Sequence, residues 1–133
     1  MAECRAINKA MQQHAAASSP AIRLVSGDMN LVGSRPPLDV MRASIDADGS
    51  DLSAADAMVH GDLAYYTWKD PITPFTPGRL DWLVYSDATV KARQAFVLDT
   101  SRLGAEVLTR LHLTADDSAA ADHLPVIVDL ARP

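Results

Sequence analysis

Cysteine is almost absent from this chain. Cys4 is the only one among 133 residues, so no internal disulfide can form and no cysteine cluster can hold a metal. An excess of positive charge is missing too. Twelve Lys and Arg stand against 17 Asp and Glu, a formal net charge of −5, which argues against a surface built for tight non-specific grip on DNA. No apolar run is long enough to cross a bilayer. The N-terminal stretch MAECRAINKAMQQHAAASS lacks the basic-then-apolar pattern of a secretory leader. Internal repeats and low-complexity linkers are likewise missing. What is present is an ordinary globular balance, 48% apolar and 22% charged residues, in a length that suits one domain with a real core.

Periodicity and breakers divide the chain into alternating elements. The alanine-rich start predicts a helix from Ala2 to Ala17, stopped by Pro20. AIRLVSG, from Ala21, reads as a short strand that closes on GDMN. SRPPLDVMRASI reads as a helix: Ser34 can cap it, two prolines fit its first turn, and Leu38, Met41 and Ile45 share a face. The segment from Asp46 to Asp62 reads as a polar loop. LAYYTW (from Leu63), RLDWLVYS (from Arg79) and ATVKARQAFVLD (from Ala88) read as strands, with a proline-rich loop before the second. TSRLGAEVLTRLHL, from Thr100, reads as a helix, and a final loop leads to the apolar, β-branched run Leu124–Val128, a strand suited to cover on both faces. Helices between strands indicate an α/β or α+β sheet domain.

Three of these strands carry an acidic residue that packing would not place there. Asp28 and Asn30 lie two apart just after the first strand, where Gly27 lets the backbone turn. By itself the tetrapeptide is best read as an ordinary Gly-Asp turn with a capping Asn. In RLDWLVYS, alternation puts Leu80, Trp82 and Val84 on one face and Asp81, Leu83 and Tyr85 on the other. A carboxylate between Leu and Tyr is costly if covered and unremarkable if exposed, and the strand alone leaves both open. Asp122 and His123 stand side by side at the mouth of the last strand. A histidine in that position is more often a solvated surface residue than a catalyst.

Taken in order, SGDMN, GRLDWLVYSD and AADHLPVIVDL resemble the endonuclease/exonuclease/phosphatase superfamily of metal-dependent phosphodiesterases, and the resemblance extends over essentially the whole chain. It implies that Asp28 positions or deprotonates the attacking water and that Asn30 hydrogen-bonds the scissile phosphate. It implies that Asp81 orients His123, that His123 contacts a phosphate oxygen, and that Asp122 is a ligand or near-ligand of Mg²⁺ or Mn²⁺. The chemistry is coherent: a phosphodiester repels an anionic nucleophile, so hydrolysis needs a cation, donors on the phosphoryl oxygens and a positioned water. Oxygen ligands suit Mg²⁺ or Mn²⁺ better than zinc.

The chain departs from the family pattern in two ways. Ala121 stands where a serine usually precedes Asp-His, and nothing matches the family's early asparagine and metal-binding glutamate; Glu3 and Glu106 fall in helical segments. The resemblance therefore implies the C-terminal half of a four-layer α/β/β/α sandwich, with a mixed, mostly antiparallel sheet and flanking helices. Residues 1–133 would form one partial domain. The implied partners are a phosphodiester or phosphoester substrate and either the missing N-terminal half or a second copy of the chain. A non-catalytic remnant or binding module that keeps the fold without a full site is the alternative. DADGSD fails as a calcium loop, because Asp51 stands where glycine is needed and Ala57 where glutamate is. His14, His60 and His112 lack ligand spacing and read as surface residues. Lys69, Phe75 and Arg79 are candidates to touch substrate, with a rigid surface loop as the competing reading. No nucleophile elbow supports Ser-His-Asp chemistry.

Overall fold

The computed structural model describes residues 1–70 and 72–133, and among them the chain has the mixed α/β content that alternation implies. Helix α1 spans Ala2–Ser18. It ends where Ser19 turns into the left-handed region (φ 43°) and returns its N–H to the Ala15 carbonyl, one residue before Pro20. Helix α2, Pro36–Arg42, uses its prolines in the first turn, where missing N–H groups cost nothing. Leu38, Met41 and Ile45 are all buried, so the shared face is real. The helix nevertheless stops at Arg42, and Ile45 packs from the loop beyond it. Ser34 does not cap it; Arg35 holds that place without a side-chain bond. At the other end, Asn8 of α1 donates its amide to the carbonyls of Met41 and Ala43, at 2.9 and 2.8 Å.

Two three-stranded sheets lie between and beyond these helices. The first orders as β1–β4–β2, antiparallel throughout, from Leu24–Asp28, Asp81–Tyr85 and Ser53–Ala54. The second orders as β3–β5–β6, from Met58–Val59, Lys91–Val97 and Val126–Ala131; β3 runs parallel to β5 and β6 antiparallel to it. Residues 53–59 thus supply a strand to each sheet. This corrects the reading of Asp46–Asp62 as a polar loop. Leu52, Ala55, Ala57 and Val59 are each at most 2% exposed, and small apolar residues at that spacing were hidden among the aspartates and serines around them.

Strand β4 is the centre of the first sheet, and its alternation divides the core. Trp82 and Val84 pack with Leu38, Met41, Ile45 and Leu52 under the helices. On the opposite face Tyr85 and Leu83 meet Ala55, Val90 and residues of β5 and β6. Three further readings need correction. LAYYTW is not a strand; it bends at Leu63 and Thr67 and makes only isolated bridges, from Trp68 to Gly78 and to His123. The last strand begins at Val126, lies at a sheet edge and stays half-buried, so it is not covered on both faces. Thr100–Arg102 is a short 3₁₀ turn separated by Leu103 and Gly104 from helix α3, Ala105–Leu111, which buries none of its residues. Gly104 adopts an extended conformation, and this breaks what periodicity alone joined.

Replacing Leu52, 0% exposed, by alanine should lower stability by about 2–5 kcal/mol through lost burial and a cavity. Leu63→Ala, at 85% exposure, should change it by no more than about 0.5 kcal/mol. Urea denaturation followed by tryptophan fluorescence distinguishes the two, and equal losses would contradict this division of the core.

Candidate functional site

Antiparallel pairing of β1 with β4 brings the first two acidic residues together. Asp28 lies directly opposite Asp81 in the register, so the two side chains emerge on the same side of the sheet at its end. Gly27, at φ 148°, gives the last residues of β1 a backbone course that a side chain would strain. Met29 continues the pairing by donating its N–H to the Leu80 carbonyl. Asn30 follows at φ 47°, and both its backbone N–H and its side-chain amide donate to Asp28, at 2.7 and 3.1 Å. Asp28 and Asn30 are both exposed, and they satisfy one another as a turn.

His123 arrives from the other side. Its Nδ1 lies 2.8 Å from Asp81 Oδ2, within the 2.6–3.2 Å of a good hydrogen bond. With Asp81 ionised, Nδ1 must carry the proton, which leaves Nε2 as the outward-facing nitrogen. The hydrogen bond that His123 donates to Asp81 raises the His123 pKa above its ordinary 6.5. Partial burial opposes this, and the charges of Asp81, Asp28 and Asp122 add to it. One imidazole therefore sits in the field of three carboxylates contributed by three separate parts of the chain.

A residue that sequence reading passed over holds this pair in place. Thr67 is 1% exposed, and its hydroxyl donates to Asp81 Oδ2 at 2.8 Å while accepting from the backbone N–H groups of Leu80 and Asp81. A hydroxyl has one hydrogen and two lone pairs, and all three are used. The Thr67 carbonyl also accepts from the Leu124 N–H at 2.7 Å, which ties down the residue after His123. Its neighbours are fastened in turn. Trp68 donates its indole N–H to Asp122 Oδ2 at 2.9 Å, and Lys69 donates its backbone N–H to the Asp122 carbonyl. Tyr66 and Lys69 both reach Asp99, at 2.7 and 2.6 Å. Burial pushes the Asp99 carboxyl up, but donors from Lys69, Ser101 and Tyr66 outweigh it, with the Lys69 charge in support, and hold it at about 2. Lys69 thus ties its ammonium group to Asp99 and Ser101 within the scaffold.

The sequence-selected residues Asp28, Asn30, Asp81, Asp122 and His123 all gather at one end of the first sheet and beside the start of the last strand. Their ability to hold a divalent ion is limited. No three His, Cys, Asp or Glu side chains come together as a metal site among the described residues. Asp122 gives one carboxylate oxygen to Trp68, and Asp28 gives both of its oxygens to Asn30. The donors present do not by themselves fit a resident Mg²⁺ or Mn²⁺. His14, His60 and His112 are exposed. Comparison with known proteins finds no matching family model, curated protein or solved structure.

A cleft of about 780 Å³ opens beside the site, with Asn30 and His123 among its lining residues. Leu31, Val32, Trp68, Phe75 and Leu80 supply its apolar lining.

Thr67→Val should cost about 1–3 kcal/mol, because it leaves buried partners unpaired, whereas Thr67→Ser should keep most of that stability. In Thr67→Val the neutral His123 ring should also lose its preference for the Nδ1–H tautomer, read from its ¹⁵N shifts. An unchanged tautomer would show that Thr67 does not position the pair. The same spectra should place the His123 midpoint above 6.5, falling in Asp81→Asn. Because the folded pKa is the higher one, this pair stabilises the fold fully below 6.5 and ceases to as pH rises through the folded midpoint.

Asp99 has the opposite sign. Its folded pKa is depressed, so its contribution is present above the ordinary 3.8 and is lost as pH falls through about 2. Asp99→Asn should flatten the acid limb of a stability-versus-pH curve over that window. An identical limb in the variant would remove Asp99 from the account.

Proposed function

We propose that this chain carries the aspartate–histidine part of a phosphoester hydrolase site of the endonuclease/exonuclease/phosphatase type. The observation that carries the reading is the 2.8 Å contact between Asp81 and His123, residues 42 positions apart, with Asp28 opposite Asp81 across the sheet. In this reading the Nε2 proton of the His123 imidazolium meets a phosphoryl oxygen and stabilises the charge that grows there. Asp81 fixes the ring and favours its charged form. Asn30 turns its amide from Asp28 to a second phosphoryl oxygen, and that movement frees an Asp28 oxygen to accept a proton from the attacking water.

Mg²⁺ or Mn²⁺ would supply charge neutralisation at the phosphoryl group when bound. Asp122 is the carboxylate this chain would offer it, and further oxygen ligands would have to come from elsewhere. A phosphodiesterase domain of which this chain is the C-terminal part would contain them. A binding module without catalysis is the competing reading, and the mutual saturation of Asp28 and Asn30 favours it.

The chain alone should turn over bis-p-nitrophenyl phosphate slowly or not at all with Mg²⁺ or Mn²⁺. Addition of a protein segment bearing the metal-binding half of such a hydrolase should restore turnover, and His123→Ala should then reduce it by about 100-fold or more. Turnover indifferent to His123 would sink the hydrolase reading. Phosphoester binding at His123 without turnover, even in the complemented protein, would favour the binding module.

A further inference from the structure

We propose that the cleft beside His123 selects a phosphoester carrying an aryl or similarly flat apolar ester group, in preference to a strand of nucleic acid. The inference rests on the phosphoester reading of the site and names its substrate class. At about 780 Å³ the cleft is large enough for a small organic molecule, and His123 and Asn30 stand among its lining residues. Its walls are apolar where a sugar–phosphate chain would need donors and cations. Phe75 is 68% exposed and Val32 83% exposed, large apolar side chains for which the fold itself provides no cover. Trp68, bridged through its backbone to His123, adds a fixed surface to the same cleft. Its indole N–H is bonded to Asp122, and its backbone N–H and carbonyl are both bonded to Gly78.

Charge completes the argument. Arg79 is the only lysine or arginine among the described lining residues, and its guanidinium is held against the protein's own Trp82 ring. It lies 3.8 Å from the centre of the Trp82 ring and donates to the Ala55 carbonyl at 2.6 Å. Asp28 and Asp122, by contrast, bring negative charge to the site beside the cleft. A polyanion draws its affinity from several cations placed along its backbone, and beyond the His123 end this cleft offers only Arg79. A single phosphate met by the imidazolium, with its ester group lying against Trp68, Phe75 and Val32, matches both the charge and the surface.

The test compares three probes by NMR titration of the whole chain: diphenyl phosphate, dimethyl phosphate and a short single-stranded oligothymidylate. Diphenyl phosphate should bind about tenfold or more tightly than dimethyl phosphate, with shifts at Phe75, Trp68 and His123. Phe75→Ser combined with Val32→Ser should bring that ratio to within about twofold; both side chains are exposed, so the fold should survive the change. Equal affinity for the two small probes would overturn the proposal, and so would tighter binding of the oligonucleotide. Diphenylmethanol, which keeps both rings and lacks the phosphate, separates the two layers of the reading. If it binds as tightly as diphenyl phosphate, the phosphoester reading itself fails. If it binds weakly while diphenyl and dimethyl phosphate bind alike, the phosphoester reading stands and only the apolar selection falls.

Discussion

Four consecutive side chains, Tyr66 to Lys69, are each hydrogen-bonded to an aspartate, and the arrangement of the site depends on that short run. Tyr66 and Lys69 grip Asp99, Thr67 grips Asp81, and Trp68 grips Asp122. The segment has no regular secondary structure of its own. Its backbone instead bonds on one side to Gly78 and on the other to Asp122 and Leu124, so it is held between the approach to β4 and the approach to β6. Acidic groups at the end of a sheet repel one another and would splay apart without such donors. Here the donors come from one rigid bar, and the carboxylates inherit its geometry. Thr67 matters most within it, because a buried hydroxyl with every hydrogen-bonding position filled tolerates neither removal nor an apolar substitute of the same shape.

The bar acts on a sheet that is already fixed by packing. Val84 and Trp82 are pinned beneath α2, and Arg79 stacks over the Trp82 ring while Arg35 lies 5.4 Å from it. Two cations near one indole would repel, yet each gains from the ring, and Arg79 also reaches the Ala55 carbonyl. The start of β4, where Asp81 stands, is therefore set from below by apolar burial and from the side by cation–π contact. Thr67 then fixes the rotation of the carboxylate. Position and orientation have separate causes, so loss of either would disturb the pair with His123 in a different way.

The residues proposed to carry chemistry were more legible in the sequence than the residues that position them. Asp28, Asn30, Asp81, Asp122 and His123 read singly as turn, strand or surface residues, and only the order of their three short motifs sets them apart. Thr67 belongs to none: its side-chain partners are 13 to 14 positions away, and LAYYTW reads as a strand until the backbone partners are known. Asp99 was partly legible. It caps the 3₁₀ turn that follows by accepting from the Ser101 N–H, a familiar use of aspartate before a helix start, but its bonds to Tyr66 and Lys69 span 33 and 30 positions. Local chemistry failed too where burial decided the outcome. The residues of β2 and β3 look like a solvated loop, and only their cover by β4 and β5 makes them strands.

The opposition of Asp28 and Asp81 connects the fold to the proposed function. Like charges placed directly across an antiparallel pair destabilise it, and a fold free of other demands would avoid the pairing. Each carboxylate is relieved by a different donor: Asp28 by Asn30, Asp81 by Thr67 and His123. The Thr67 bond is internal and permanent, while Asn30 is exposed and sits in a turn that an arriving anion can reach. An incoming phosphoryl group would compete for the Asn30 amide. As the Asn30 side chain leaves, Asp28 Oδ2 is freed to meet the attacking water, while Asp81 Oδ2 keeps its bonds to Thr67 and His123. The same pair of residues would then divide into a base and an orienting group only once the substrate is present, without any movement of the sheet that carries them.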